Sequence, residues 1–168
     1  MKRLLLSAAI LTGIVAPAYA QDTRPLFVIE RNANRNVVRY DAQLTGEGAL
    51  DPKEPVIAYW IMLANGGHRE ELNFLERQLA YGFTIQPDPS GRGYRMALAA
   101  DREREIAVFQ KDDKVTAEIL IAGRPAILTK LSVNSNDGGV LPSVNYIELF
   151  GRDTVTGEHR YEKLVPKR

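Results

Sequence analysis

The feature that most constrains this chain is its rhythm. From Leu26 onward, short apolar or alternating runs recur, each closed within about eight residues by a turn signal. Leu26–Arg31 and Val37–Leu44 flank Asn32-Ala33-Asn34-Arg35-Asn36, where three asparagines suit a turn. The second run alternates, with Val38, Tyr40, Ala42 and Leu44 on one face and Val37, Arg39, Asp41 and Gln43 on the other. That is the pattern of a half-buried antiparallel strand. After a polar loop at Thr45–Pro55, Val56–Leu63 is apolar on both faces and reads as a central strand covered on both sides.

Further strands are expected at Phe83–Gln86, Tyr94–Ala99, Glu105–Gln110, Val115–Ile121, Ala126–Val133, Val144–Phe150 and His159–Leu164. Their connectors carry the expected turn residues: Pro87–Gly93, Asp112-Asp113, Gly123-Arg124-Pro125, Asn134–Ser143 and Asp153–Gly157. About nine strands with short connections predict a mainly β fold, an antiparallel barrel or sandwich.

One helix interrupts the rhythm. Asn65-Gly66-Gly67 breaks the Val56–Leu63 strand, and His68–Tyr81 reads as helical, with Gly82 as its C-cap. Leu72, Leu75 and Leu79 form one stripe that should seat it on the sheet, and Phe74 and Tyr81 form a second. Two stripes predict a sandwiched helix. His68 falls near the leucine stripe, which suggests capping or packing. Glu71 falls inside the apolar arc, where a carboxyl could be raised in pKa or could reach the rim and pair with an arginine.

Residues 1–20 form a separate unit. Met1-Lys2-Arg3 is basic, Leu4–Val15 is an apolar run, and Ala18-Tyr19-Ala20 supplies small residues where a signal peptidase reads. The expectation is a secretory signal cut between Ala20 and Gln21. Its apolar run is too short for the ~30 Å of hydrocarbon that about 20 residues span. Residues 21–168 then form one β-rich domain, of a size that supports a core without staples. Lys2 and Arg3 leave with the signal, so 20 of the 22 basic residues face 21 acidic ones. That balance gives no electrostatic case for nucleic acid. With no cysteine, disulfides, thiolate catalysis and cysteine-ligated metal are excluded. A periplasmic location fits an exported chain that relies on its core alone.

No catalytic motif emerges. The two histidines, His68 and His159, are far apart in sequence, and no metal site or cofactor is expected. There is no nucleophile elbow and no phosphate loop. Tyr59 and Trp60 point to opposite faces of one strand, so a sheet closed around a cavity would have one of them in its lining.

Two groups of residues resemble a known family. One is Phe27–Ala42. The other is Tyr59-Trp60-Ile61 with Gly67–Asn73 and Ala80-Tyr81-Gly82; Tyr146–Gly151 and Thr156-Gly157-Glu158 also fit. They resemble the domain-of-unknown-function family numbered 4833, a group of small, often exported bacterial domains. The resemblance implies one intact domain over Leu26–Val165 and brings no activity or catalytic residues with it.

The functional expectation is a non-enzymatic binding module for a small apolar or amphipathic molecule, or for an envelope protein. The alternative is an enzyme whose carboxylate, arginine and tyrosine site assembles only in three dimensions. A third reading is pairing through an exposed strand edge. Candidate binding residues are Arg31, Tyr40, Asp41, Tyr59, Glu71, Phe74 and Tyr81. Of these, Arg31, Tyr40, Asp41, Glu71 and Tyr81 would serve the enzyme.

Overall fold

A computed structural model describes residues 22–32, 34–136 and 143–166. The cleavage site at Ala20 and Gln21 lies outside these, as does most of the Asn134–Ser143 connector. Among the described residues, eleven strands make one sheet: β1 (Asp22–Arg31), β2 (Val37–Leu44), β3 (Val56–Met62), β4 (His68–Glu71), β5 (Phe83–Pro87), β6 (Gly93–Leu98), β7 (Asp101–Lys111), β8 (Lys114–Ile121), β9 (Arg124–Asn136), β10 (Ser143–Asp153) and β11 (His159–Leu164). The main path runs β4-β3-β2-β1-β9-β8-β7-β6-β5, and β10 and β11 branch from β9. The sheet curls into an open half-barrel. The expected β character holds. Full antiparallel closure does not, because β1 runs parallel to β9.

The branching follows from the length of β9. Its first residues, Arg124–Ile127, pair with β8, and Lys130–Val133 pair with β1. Residues 126–136 pair with β10 on its other side. Two wings, β1–β4 and β5–β8, therefore share one edge of one strand. The expected strands are all present; β2 and β11 keep the expected bounds, β3 stops one residue early, β6 is shifted by one residue, and the others are longer. Strand β1 begins before Leu26, the expected start: Asp22–Pro25 pairs with Asp41–Leu44.

The expected helix is the main correction. His68–Glu71 is strand β4, paired with Tyr59–Met62 of β3. All four of its residues are exposed and polar, which suits an edge strand that must not recruit another chain. Helix α1 covers only Phe74–Leu79. Asn73 sets its start: Asn73 Oδ1 accepts the Glu76 N–H at 3.0 Å, and Glu76 Oε2 accepts the Asn73 N–H at 2.9 Å. This reciprocal capping box fixes the first turn at Asn73 and leaves His68–Glu71 to the sheet. Leu72 is buried, but Leu75 and Leu79 are 62% and 65% exposed, so the leucine stripe does not seat the helix on the sheet. Phe74 is 75% exposed and Tyr81, beyond the helix, is buried, so the second stripe is not a unit. His68 neither caps the helix nor packs; it is exposed and bonds Glu70 and the Asn65 carbonyl. Gly82 is not the cap residue, but a Cβ there would lie 1.9 Å from the Arg77 carbonyl oxygen, so glycine is needed for that close approach.

The inner face of the curl is the core. Val38, Tyr40 and Ala42 of β2 are fully buried with Met96, Ile106, Val108, Ala117, Ile121, Leu128 and Leu149 from the other strands. Phe27 stacks on Tyr40 with ring centroids 4.4 Å apart, and Tyr81 meets Trp60 edge-on at 5.1 Å. Trp60 is covered as expected, but by Tyr81 rather than by the helix.

Two turns share one device. Asp88 accepts the Ser90 N–H and hydroxyl on one oxygen and Arg95 Nε on the other. Asp153 accepts the Val155 and Thr156 N–H groups on one oxygen and Arg160 on the other. In each, an aspartate starts the turn and an arginine seven residues on closes it.

Candidate functional site

An apolar cavity of about 530 Å³ lies inside the curl. Ile29 and Arg31 of β1, Leu131, Val133 and Ser135 of β9, and Val144, Ile147 and Leu149 of β10 form one side. Leu98, Ile106 and Ile119 come from the other wing. Leu75, Leu79 and Tyr81 come from the segment that joins β4 to β5, the two ends of the strand path. Leu75 and Leu79 thus touch both the cavity and solvent, which places them at its mouth.

Pairing sets the rows of the wall. Ile29, Leu131 and Leu149 are in register, then Arg31, Val133 and Ile147, then Ser135 and Val144. The first row passes through Leu149, 1% exposed, to Glu162 of β11, the second continues to Leu164, and the third ends on Val144, 41% exposed. The wall therefore has an aliphatic middle, with Arg31 and Ser135 to one side and Arg104, paired with Glu162, to the other.

The Arg31 side is built locally. The Asn32 N–H donates to the Val133 carbonyl at 3.3 Å. The Asn32 side chain then acts as one more rung: its Nδ2 donates to the Ser135 carbonyl at 3.1 Å, and its Oδ1 accepts the Ser135 N–H at 2.9 Å. Ser135 is buried, and its Oγ lies 3.4 Å from Arg31 Nη2. Elsewhere on the wall Arg104 pairs with Asp101 and Glu162. The Glu162 carboxyl is held below its usual range: burial pushes it up, but the Ala122 N–H and Arg104 outweigh that.

A family model described as Domain of unknown function (DUF4833) matches residues 27–163. The chain belongs to that family. No curated protein and no solved structure matches it. The matched span of this DUF4833 domain takes in the helix, both wings except the start of β1, and the cavity wall except Leu164.

The candidate residues read from the sequence of the DUF4833 domain divide into three places. Arg31 and Tyr81 line the cavity. Tyr40 sits in the core behind it, and its hydroxyl donates to the Tyr81 carbonyl at 2.5 Å. Burial pushes the Tyr40 phenol far above the ordinary tyrosine value. Asp41, Tyr59 and Glu71 lie together on the outer face instead. Asp41 accepts Arg39 Nε at 2.7 Å and the Tyr59 hydroxyl at 2.6 Å. Arg69 stacks over the Tyr59 ring at 3.9 Å and reaches Glu71 at 2.8 Å, and Arg77 bonds Glu71 at 2.9 Å. These arginines, Arg69 first, hold the Glu71 carboxyl below its usual range. So Glu71 takes the arginine-paired alternative and is not a raised-pKa acid. Tyr59 is raised, by burial first and then by its bond to Asp41. Neither Tyr59 nor Trp60 lines the cavity; Tyr81, resting on Trp60, does. Phe74 stands exposed on α1 and is not in the cavity wall.

Ser135, Leu75 and Leu79 are the residues that sequence reasoning did not bring to the site. Ser135 carries no local signal, since its position depends on Asn32 about a hundred residues earlier. A larger cleft of about 940 Å³ crosses the charged surface of β6–β8. Its arginines bond acidic or hydroxyl neighbours, Arg95 with Asp88 and Glu105 and Arg92 with Ser90, so it reads as a solvated surface. Among the described residues no group of three acidic or histidine side chains gathers to hold a metal ion. No helix of the described residues is long and apolar enough to cross a membrane.

Proposed function

We propose that this DUF4833 domain is an exported binding module for a small apolar or amphipathic molecule, working in the periplasm after cleavage behind Ala20. The cavity carries the reading. Its volume lies within the roughly 300–1,000 Å³ usual for small-molecule sites. Its wall is mostly aliphatic, with a few polar side chains, Arg31, Ser135 and Arg104 among them, as such sites require. The enzyme alternative draws on Arg31, Tyr40, Asp41, Glu71 and Tyr81, and the sheet divides these between the cavity, the core and the outer face.

The test is native mass spectrometry of the protein purified gently from its own envelope. A discrete adduct that organic extraction removes is expected. A bare mass, together with no thermal stabilisation by added amphiphiles, would count against the reading. N-terminal sequencing of the same material should begin at Gln21, and recovery of Met1 would overturn export.

A further inference from the structure

We infer that the cavity takes an uncharged, largely hydrocarbon molecule and rejects ionised heads of either sign. This rests on the binding reading above and adds the class of ligand.

Charge sets the first limit. Among the described residues, four charged side chains reach the cavity, two of each sign: Arg31 and Arg104, Glu76 and Asp101. The wall as a whole therefore favours neither an anion nor a cation. Each of the four is also engaged inside the protein. Arg104 Nη1 donates to Glu162 at 3.1 Å and to the Leu120 carbonyl at 3.4 Å, and its Nε lies 3.8 Å from Asp101. Glu76 Oε2 accepts the Asn73 N–H at 2.9 Å in the capping box. Arg31 donates to Ser135 Oγ at 3.4 Å, and both residues interact beyond that pair.

Hydrogen bonding sets the second limit. Ser135 brings a buried hydroxyl to the wall, yet among the described residues no buried side-chain nitrogen or oxygen lacks a partner. A polar head entering such a site must displace an existing bond or go without one. Either is costly, and most of all for a charge. An apolar group bears no such cost. It meets Ile29, Leu131 and Leu149 in register across three strands, with Ile106 and Ile119 facing them from the other wing, and it gains by leaving water. At the mouth, Leu75 and Leu79 extend the same kind of surface. A charged head left there keeps its water and holds its end of the chain out of the cavity. A neutral molecule of equal length buries more apolar area and gains more.

The experiment compares decanol, decanoate and decylammonium as ligands of the full mature chain at neutral pH, by displacement of a neutral fluorescent apolar probe. Decanol should bind roughly tenfold or more tightly than either ion, as expected where a charge would be buried without a partner of its own. Two variants test the part played by internal pairing. Asp101→Asn takes one negative charge from the wall, and Glu162→Gln takes the charge that holds Arg104. Each should raise decanoate severalfold relative to decanol. Equal affinity for all three ligands in the wild-type protein, or tighter binding of either ion, would overturn the ligand class and leave the cavity reading standing. An unchanged ratio of decanoate to decanol in both variants would do the same. Failure of every one of the three ligands to displace the probe would overturn both readings.

Discussion

The Tyr40 hydroxyl donates to the Tyr81 carbonyl at 2.5 Å, across 41 residues of chain. This bond ties β2 to the segment that forms one wall of the cavity. The Tyr81 ring rests on Trp60 and also lines the cavity, so the core of the first wing and the proposed site share a surface.

Tyr40→Phe should therefore cost about 1–3 kcal/mol, the usual penalty for leaving a buried carbonyl without its donor. Chemical denaturation would measure it. The Tyr40 value is raised, so its contribution is complete below the ordinary tyrosine value of about 10 and is lost as pH rises beyond it. The mutant and wild-type stabilities should converge in strong alkali. An unchanged midpoint at neutral pH would remove the bond from the account.

Trp60 is buried and contacts Tyr81 edge-on. Trp60→Ala should destabilise the fold by about 3–5 kcal/mol, as large aromatic truncations in cores do. Near-wild-type melting would show that the indole is dispensable to the core.

Leu75 and Leu79 make the opposite case. Both are mostly exposed, so Leu75→Ser and Leu79→Ser should change stability by no more than about 0.5 kcal/mol. Both also line the cavity, so the double variant should bind a fluorescent apolar probe more weakly. Melting and probe binding on the same samples separate the two effects. A large loss of stability would mean that α1 packs more tightly than its exposure indicates.

The two aspartate turns predict acid sensitivity. Ser90 and Arg95 hold the Asp88 carboxyl down to about 2, and the turn N–H groups with Arg160 hold Asp153 lower still. A depressed folded value means that the stabilisation is complete above the ordinary carboxylate value of about 4 and is lost as pH falls toward 2. Asp88→Asn and Asp153→Asn should each flatten the dependence of melting temperature on pH in that window. Profiles parallel to wild type would show that these turns do not contribute.

Strand positions were legible because a half-buried strand writes its period into the sequence, as Val37–Leu44 does. The extent of the helix was not. Leu72, Leu75 and Leu79 have helical spacing, yet β3 offered His68–Glu71 a pairing edge, and the Asn73 capping box started the helix after it. The spacing of apolar residues is silent on which of two competing backbone partners a segment takes. The site was legible only in part. Arg31 and Tyr81 come from segments with local pattern, whereas Ser135 and the aliphatic wall are brought together by a parallel pairing that no local pattern announces.

That pairing also orders events in time. β1 reaches β9 only once Lys130–Val133 exist, whereas β1–β4 and β5–β8 each close through successive antiparallel pairs of neighbouring strands. Loops that must be closed over a long span delay folding. Amides in the rungs between β1 and β9 should therefore gain protection later in pulsed hydrogen exchange than those inside either meander. A chain arranged in this way closes two wings separately and joins them last, so the seam between β1 and β9 is where the domain should open first under stress.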